Sequence, residues 1–285
     1  MLKPPDTQPY ISVKDHLVSG EEFALLYNEK YDMLITDPQP TELSKYYESE
    51  DYVSHTDAEK GLLNILYQTI KRRALRKKVK LIIKLARGSK SVLDIGAGTG
   101  DFLCEAKKHG WSVQGIEPNL NARARAGEKG VVLETDIEAY KEQQFDVVTL
   151  WHVLEHLPDL ENTVEKIKGL VKENGILIVA VPNFKSSDAK RYKKHWAAYD
   201  APRHLWHFSR NSLSKLFGVE MKPIDSKPMI FDSFYVSLLS EKYKNNNQLH
   251  FFSYPKAFFA GIMSNMAAWR SKEYSSLIYC FKKAQ

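Results

Sequence analysis

The chain has 285 residues, with 41 Lys and Arg against 35 Asp and Glu for a formal charge of +6. A composition that is 43% hydrophobic and 27% charged, with only 12 Pro and 14 Gly, excludes a mainly disordered or low-complexity chain. Two cysteines, Cys104 and Cys280, exclude a disulfide scaffold or a Cys-rich zinc cluster and point to a reducing, cytoplasmic setting.

The start, MLKPPDTQPY, has no apolar stretch of signal-peptide length. The longest apolar runs, at 176–181 and 257–263, fall far short of the roughly 20 residues that cross a bilayer, so no transmembrane segment is expected. Residues 11–37 contain the β-like pieces FALLYN and YDMLIT, which stop at Pro38 and Pro40 and read as a small hairpin unit. The acidic, tyrosine-rich 46–55 follows, with Tyr47, Tyr52 and His55 placed to cap a ligand or simply to dock the hairpin unit. From about Gly61 to Ala86 apolar residues recur at helical spacing, and the helix's Lys and Arg residues read as a solvated face rather than a nucleic-acid stripe.

From residue 91 strands alternate with helices. Strands are expected at 91–96, 112–117, 131–137, 145–151 and 176–181, with helices near 100–109, 119–129 and 159–173. Near-continuous apolar strands joined by helices mean a doubly wound, Rossmann-like α/β sheet covered on both faces. Beyond Asn183 comes a His- and Trp-rich segment, then a helix starting at Ser209 or Asn211, a strand near 221–227, aromatic helices over 228–273, and a last strand at 274–281 that returns to the sheet.

The most informative segment is VLDIGAGTGDFL, a strand that runs into Gly96, Gly98 and Gly100 and then a helix. Glycines there let the backbone approach a ligand, and the helix start offers free N–H groups. The Gly-x-Gly-x-Gly spacing differs from the dinucleotide fingerprint, so a ligand without a pyrophosphate is preferred. Glu117 ends the second strand, where an acid can take both ribose hydroxyls, and Asp136 ends the third, where one could accept from an adenine amino group. With Asp94 they place three acids at successive strand ends, which suits a cationic nucleoside.

The motifs VLDIGAGTGDFL, GIEPN, TDIE, FDVVTLWHVLEHLPD and GILIVAVPN, in this order over residues 91–183, resemble those of class I S-adenosylmethionine-dependent methyltransferases. The segment YDAPRHLWHFS resembles a broad bacterial subfamily of small-molecule methyltransferases. The resemblance implies that Asp94, Gly96, Ala97, Gly98 and Gly100 line the methionine end. It further implies that Glu117, with Pro118, holds the ribose, that Asp136 and Ile137 flank the adenine, and that Trp151 and His152 lie beside the sulfonium. In that subfamily the N-terminal hairpin carries a Cys-x-x-Cys zinc knuckle. Asn28 and Tyr31 stand at the cysteine positions here, and without thiolates no zinc is expected.

HVLEH, from His152 to His156, formally matches a metalloprotease pattern, but it follows an apolar strand instead of lying within a helix, and no metal is expected. For methyl transfer to a hydroxyl the enzyme must align the nucleophile and remove its proton, and the candidate bases are His156, then His204 and His207. The chain has WHVLEH where base-amine methyltransferases carry an Asn/Asp-Pro-Pro-aromatic turn, which disfavours nucleic acid. The expected function is transfer of a methyl group to a small molecule at oxygen, the acceptor being apolar or ring-bearing. A nucleotide-dependent oxidoreductase and an inactive cofactor-binding scaffold are the alternatives. The expected organisation is an N-terminal unit and cap (1–59) followed by a methyltransferase domain (60–285), with a helical lid at about 228–273.

Overall fold

Side chains alternate between buried and exposed along Glu22–Asn28, whereas the strand that follows is buried on both faces, with Met33 and Ile35 on one side and Leu34 on the other. Strands β1 (Thr7–Lys14), β2 (Glu22–Asn28) and β3 (Met33–Asp37) pair antiparallel in order. The computed structural model describes residues 7–47, 62–86, 88 and 90–284, with backbone only for 62–71, so Tyr52 and His55 lie outside the described residues. In the β2–β3 turn, Asn28 Oδ1 accepts the Tyr31 N–H at 3.0 Å. The pair at the knuckle positions therefore closes the turn by a side-chain hydrogen bond.

The central unit follows as α1 (Leu62–Ala86), β4 (Ser91–Ile95), α2 (Asp101–Lys108), β5 (Ser112–Ile116), α3 (Leu120–Glu128), β6 (Phe145–Trp151), α4 (Leu160–Leu170) and β7 (Val171–Pro182). Then come α5 (Ser187–Tyr192), β8 (Trp206–His207), α6 (Ser212–Phe217), β9 (Met221–Pro228), α7 (Asp232–Lys244), α8 (Ser253–Ser271) and β10 (Ser276–Lys283). Six strands form one sheet in the order β5-β4-β6-β7-β10-β9. The first four are parallel, and β10 runs antiparallel to both neighbours, which makes the sheet mixed.

Both faces of this sheet are apolar, which is why its strands read as continuous hydrophobic runs. On one face Leu93, Ile95, Val148 and Leu150 share a core with Val164 and Ile167 of α4 and Phe217 of α6. On the other, Val92, Val147, Ile176 and Ile178 pack with Val79 and Ile82 of α1 and with Phe102 and Leu103 of α2.

The N-terminal sheet takes its fourth strand from far along the chain, where β8 pairs with Leu34 and Ile35 of β3. Arg203 fixes this junction. Its buried guanidinium meets Asp15 at 2.9 Å and Asp200 at 2.7 Å and donates to the Tyr46 carbonyl at 3.0 Å. Asp32, in the β2–β3 turn, accepts from Tyr27 at 2.8 Å, from Ser209 at 2.8 Å and from Lys185.

Two expectations are corrected. The strand over 131–137 shrinks to one parallel bridge between Glu134 and Ile116, because Asp136 caps a short 3-10 turn over Ile137–Tyr140 that ends the pairing. The helix near 159–173 stops at Leu170, and β7 begins directly. Asn174 there has φ 61°, outside the right-handed helical region. Much of the aromatic stretch after Phe231, on α7 and α8, is solvent-exposed.

Candidate cofactor and acceptor site

The site is built at the C-terminal ends of β4, β5 and β6, where an open α/β sheet leaves a crevice. After β4, the N–H groups of Gly96 and Ala97 both donate to the Ile116 carbonyl, at 2.8 and 2.9 Å, and clamp the glycine turn onto β5. Gly96 has φ 72°, and a Cβ on it would stand 2.3 Å from Val153 Cγ2. Gly98 has φ 54°, yet no atom lies within 4 Å of where its Cβ would be. The first glycine thus permits packing and the second leaves an open cradle.

Glu117, one residue past β5, spans that cradle. Its Oε2 accepts the Gly98 N–H and its Oε1 the Asn119 N–H, both at 2.9 Å. Each oxygen keeps lone-pair capacity for a ligand hydroxyl. Pro118 is exposed beside it, and its carbonyl accepts from Arg123 at 2.8 Å. Asp136 is exposed, with Oδ1 accepting the Glu138 N–H at 2.8 Å, while Ile137 is half-buried at the core edge. Gly100, with φ 72°, precedes α2.

Asp94 does not face the cradle freely. It is buried and accepts from Thr149 Oγ1 at 2.5 Å. Burial pushes its carboxyl up to about 7, against the opposing pull of the Thr149 hydrogen bond and the Lys78 charge. Lys78 of α1 lies 4.2 Å from the centre of the Trp151 ring, and burial lowers its own pKa despite the nearby acids Asp94 and Asp232. The Trp151 Nε1–H is buried without a partner among the described residues.

His152 follows β6 in a left-handed conformation, φ 58°, a strained position typical of ligand-facing turns. Its ring lies 3.3 Å from Glu155 and 3.2 Å from Asp232 of α7. Burial opposes the charge, but the hydrogen bonds and attraction of Asp232 and Glu155 outweigh it, and the imidazolium persists up to about 10. His152 is therefore a fixed cation and not a proton acceptor.

The three candidate bases do come together. Ring centroids are 4.5 Å apart for His156 and His204 and 6.3 Å for His204 and His207. His156 Nδ1 lies 3.0 Å from the Arg203 carbonyl and 3.0 Å from the Tyr47 hydroxyl. A carbonyl only accepts, so Nδ1 carries the proton and Nε2 keeps a lone pair. His204 is set likewise, with Nδ1 2.9 Å from the Ala198 carbonyl. Burial, then repulsion from His204, lowers His156 to about 4. His207 Nε2 meets Thr36 Oγ1 at 3.0 Å, and that hydroxyl donates to the His204 carbonyl at 2.7 Å. His207 is consequently an Nε2–H donor, buried under the N-terminal sheet, with burial holding it neutral.

Glu155 is buried beside His152, His156 and His204, and one of its oxygens has no partner among the described residues. Burial raises its pKa, yet the surrounding histidines win and keep it low. Ligand atoms of Glu155, His156 and His204 lie within 4.8 Å of one another, the one such group among the described residues that could hold a metal ion. The expectation of no metal rests on the N-terminal hairpin, on HVLEH as a protease motif and on the His204 and His207 spacing read as a pocket wall. It did not foresee His204 joining Glu155 and His156.

Sequence reading missed Lys78 and Asp232. Lys78 was assigned to the solvated face of α1, although its place between Leu75 and Ile82 on the apolar stripe was a signal. Asp232 carried no local mark, because only the tertiary fold brings the start of α7 to His152.

A family model described as a methyltransferase domain matches residues 67–218. The chain is 38% identical over 109 residues to a ubiquinone biosynthesis O-methyltransferase of Actinobacillus pleuropneumoniae serotype 7, covering 33% of this chain and 46% of that one. It is 36% identical over 104 residues to the protein of that description from Salmonella paratyphi A, with 33% and 43% covered. The chain thus spans less than half the length of these relatives. Among solved structures, the [4+2]-cyclase SpnF aligns with a TM-score of 0.51 at 16% identity, over 73% of this chain and 80% of that one. The StiE O-MT segment aligns with a TM-score of 0.51 at 15% identity, over 79% and 78%. These likenesses concern the fold alone, and the cyclase shows that the fold also serves other chemistry.

Proposed function

We propose that this chain, which belongs to the methyltransferase domain family, binds S-adenosylmethionine and transfers its methyl group to an oxygen of a small molecule that is apolar or ring-bearing. The observation that carries the reading is Glu117, whose two carboxylate oxygens straddle the open Gly98 turn and present an acid for a ribose diol. The Trp151 N–H, without a partner among the described residues, suits an anionic or carbonyl oxygen, and Asp94 and Asp232 offset the Lys78 and His152 charges beside it. The residues present therefore fit an amino-acid nucleoside. Bound there, S-adenosylmethionine supplies an electrophilic methyl group on a sulfonium.

The chain's own part is alignment and proton removal. An acceptor hydroxyl directed at His156 and His204 would give its proton to the Nε2 lone pair of one of them, while the bound cofactor would supply the methyl group and leave as S-adenosylhomocysteine. Burial, with His204 beside it, holds His156 neutral before it takes a proton, and the buried Glu155 carboxylate balances the charge that results. His207, committed to Thr36, positions β8 and the His204 backbone instead of exchanging protons. The relatives' names, ubiquinone biosynthesis O-methyltransferases, support oxygen and a ring-bearing acceptor. The free thiols Cys104 and Cys280 support a cytoplasmic location. We read residues 1–59 as a cap unit and the α7–α8 pair as a lid over a single catalytic core.

The test is incubation with methyl-labelled S-adenosylmethionine and a panel of phenols and catechols bearing apolar substituents. A labelled methyl ether is expected, with turnover falling about 10²- to 10⁴-fold in His156→Gln while cofactor affinity stays unchanged. Labelled amines or carbon-methylated products, with no ether, would reject oxygen as the acceptor atom.

A further inference from the structure

Helix α8 is amphipathic in an inverted sense. Its buried positions are small: Ser253, Ala257, Ala260, Gly261, Ser264 and Ala268. Close approach to α7 requires this, since a Cβ on Gly261 would stand 2.6 Å from the Phe234 ring. The large apolar residues face outward instead, with Phe252, Phe258, Phe259, Met263, Met266 and Trp269 between 51% and 75% exposed. Their spacing puts them on one side of the helix, opposite the small residues. A soluble monomer seldom displays so continuous an apolar face without a use for it.

Charge identifies the occupant. From Lys242 to Lys272 the chain carries Lys242, Lys244, Lys256, Arg270 and Lys272 and no Asp or Glu. The acids that bracket this run are occupied: Glu241 is buried, and Glu273 accepts from Asn183 at 2.8 Å and lies 3.6 Å from Arg210. Lys256 and Arg270 are exposed on α8 itself. Large apolar side chains including Trp, flanked by cations with no anions, match the headgroup and upper acyl region of an anionic bilayer.

We propose that α8 is a peripheral membrane-docking element that inserts its Phe, Met and Trp face into an anionic lipid surface. No described helix is long and apolar enough to cross a membrane, so the attachment is interfacial. The opposite, small-residue side of α8 packs on α7, whose first residue, Asp232, pairs with His152. Docking therefore holds the α7–α8 pair at the lipid surface.

The experiment is co-sedimentation of the full chain with vesicles of phosphatidylcholine alone or of equal parts phosphatidylglycerol and phosphatidylcholine. The protein is expected to bind the anionic vesicles and to be released by high salt. The variant Phe258→Ser/Phe259→Ser/Met263→Gln/Trp269→Ser is expected to lose at least about tenfold in partitioning, while Lys256→Glu/Arg270→Glu loses the preference for phosphatidylglycerol. Unchanged binding of S-adenosylhomocysteine and unchanged helical circular dichroism show that each variant is folded. Absence of wild-type binding, or equal binding by the four-residue variant, overturns the proposal. So does a wild-type dimer in solution that ignores vesicles and becomes monomeric in that variant, because the face is then covered by a second copy.

Discussion

His152 Nε2 lies 3.2 Å from Asp232 Oδ2, so the turn after β6 and the first residue of α7 share an ion pair. With Glu155 this pair holds His152 charged up to about 10, against an ordinary 6.5. A histidine raised on folding contributes its full stabilisation below about 6.5 and loses it as the pH climbs through about 10. NMR titration of His152 is expected to show a midpoint near 10 in the wild type and a clear fall toward 6.5 in Asp232→Asn. Thermal stability should decline over the same window more steeply in the wild type than in Asp232→Asn. A wild-type midpoint at the ordinary value contradicts the pairing.

Asp94 is shifted in the same direction, over a lower pH window. Its folded pKa, near 7, exceeds the ordinary 3.8, so the empty protein binds more protons than the unfolded chain and loses stability as the pH rises between these values. A cationic ligand favours the ionised form and restores what ionisation costs. The thermal gain from S-adenosylmethionine, which carries the sulfonium, should grow as the pH approaches 7, and Asp94→Asn should flatten that dependence. A gain that is flat with pH in the wild type would separate Asp94 from ligand binding.

Gly96 combines φ 72° with a Cβ position 2.3 Å from Val153. Gly96→Ala is expected to lower stability by about 2–4 kcal/mol, from backbone strain plus overpacking. Chemical denaturation measures this, and a loss within about 0.5 kcal/mol, the range of neutral surface changes, would mean that the turn is not held as described.

Removing the Arg203 side chain leaves Asp15 and Asp200 facing each other's surroundings without their cation. Arg203→Met should cost about 3–5 kcal/mol, because an uncompensated buried charge remains. Adding Asp15→Asn should recover part of that loss. If the double variant is no more stable than the single one, the junction is not electrostatic.

The parallel block was legible because each strand is buried on two faces and Asp94, Gly96 and Glu117 stand at strand ends. The 131–137 strand misled, since its alternating Val131, Val132 and Leu133 look sheet-like, while Asp136 redirects the backbone into a cap. The segment YDAPRHLWHFS was recognisable as a family feature, but its physics was not. Arg203 is an inter-sheet clamp and Trp206–His207 a strand of the N-terminal sheet, and both partners lie far away in sequence. His156 and His204 were singled out separately. Their contact with each other and with Glu155, like that of Asp232 with His152, depends on tertiary folding. The outward turn of α8 was hidden for a different reason: composition shows aromatic residues but not which side of the helix the small ones bury.

Binding of S-adenosylhomocysteine, measured by isothermal titration calorimetry on the wild type and Glu117→Ala, tests the central claim most directly. The wild type should bind one equivalent, and Glu117→Ala should lose at least about tenfold in affinity, or 1.4 kcal/mol, with its fold intact. A wild type that binds no S-adenosylhomocysteine, or a Glu117→Ala variant that binds it equally well, would contradict the assignment of this crevice to the cofactor.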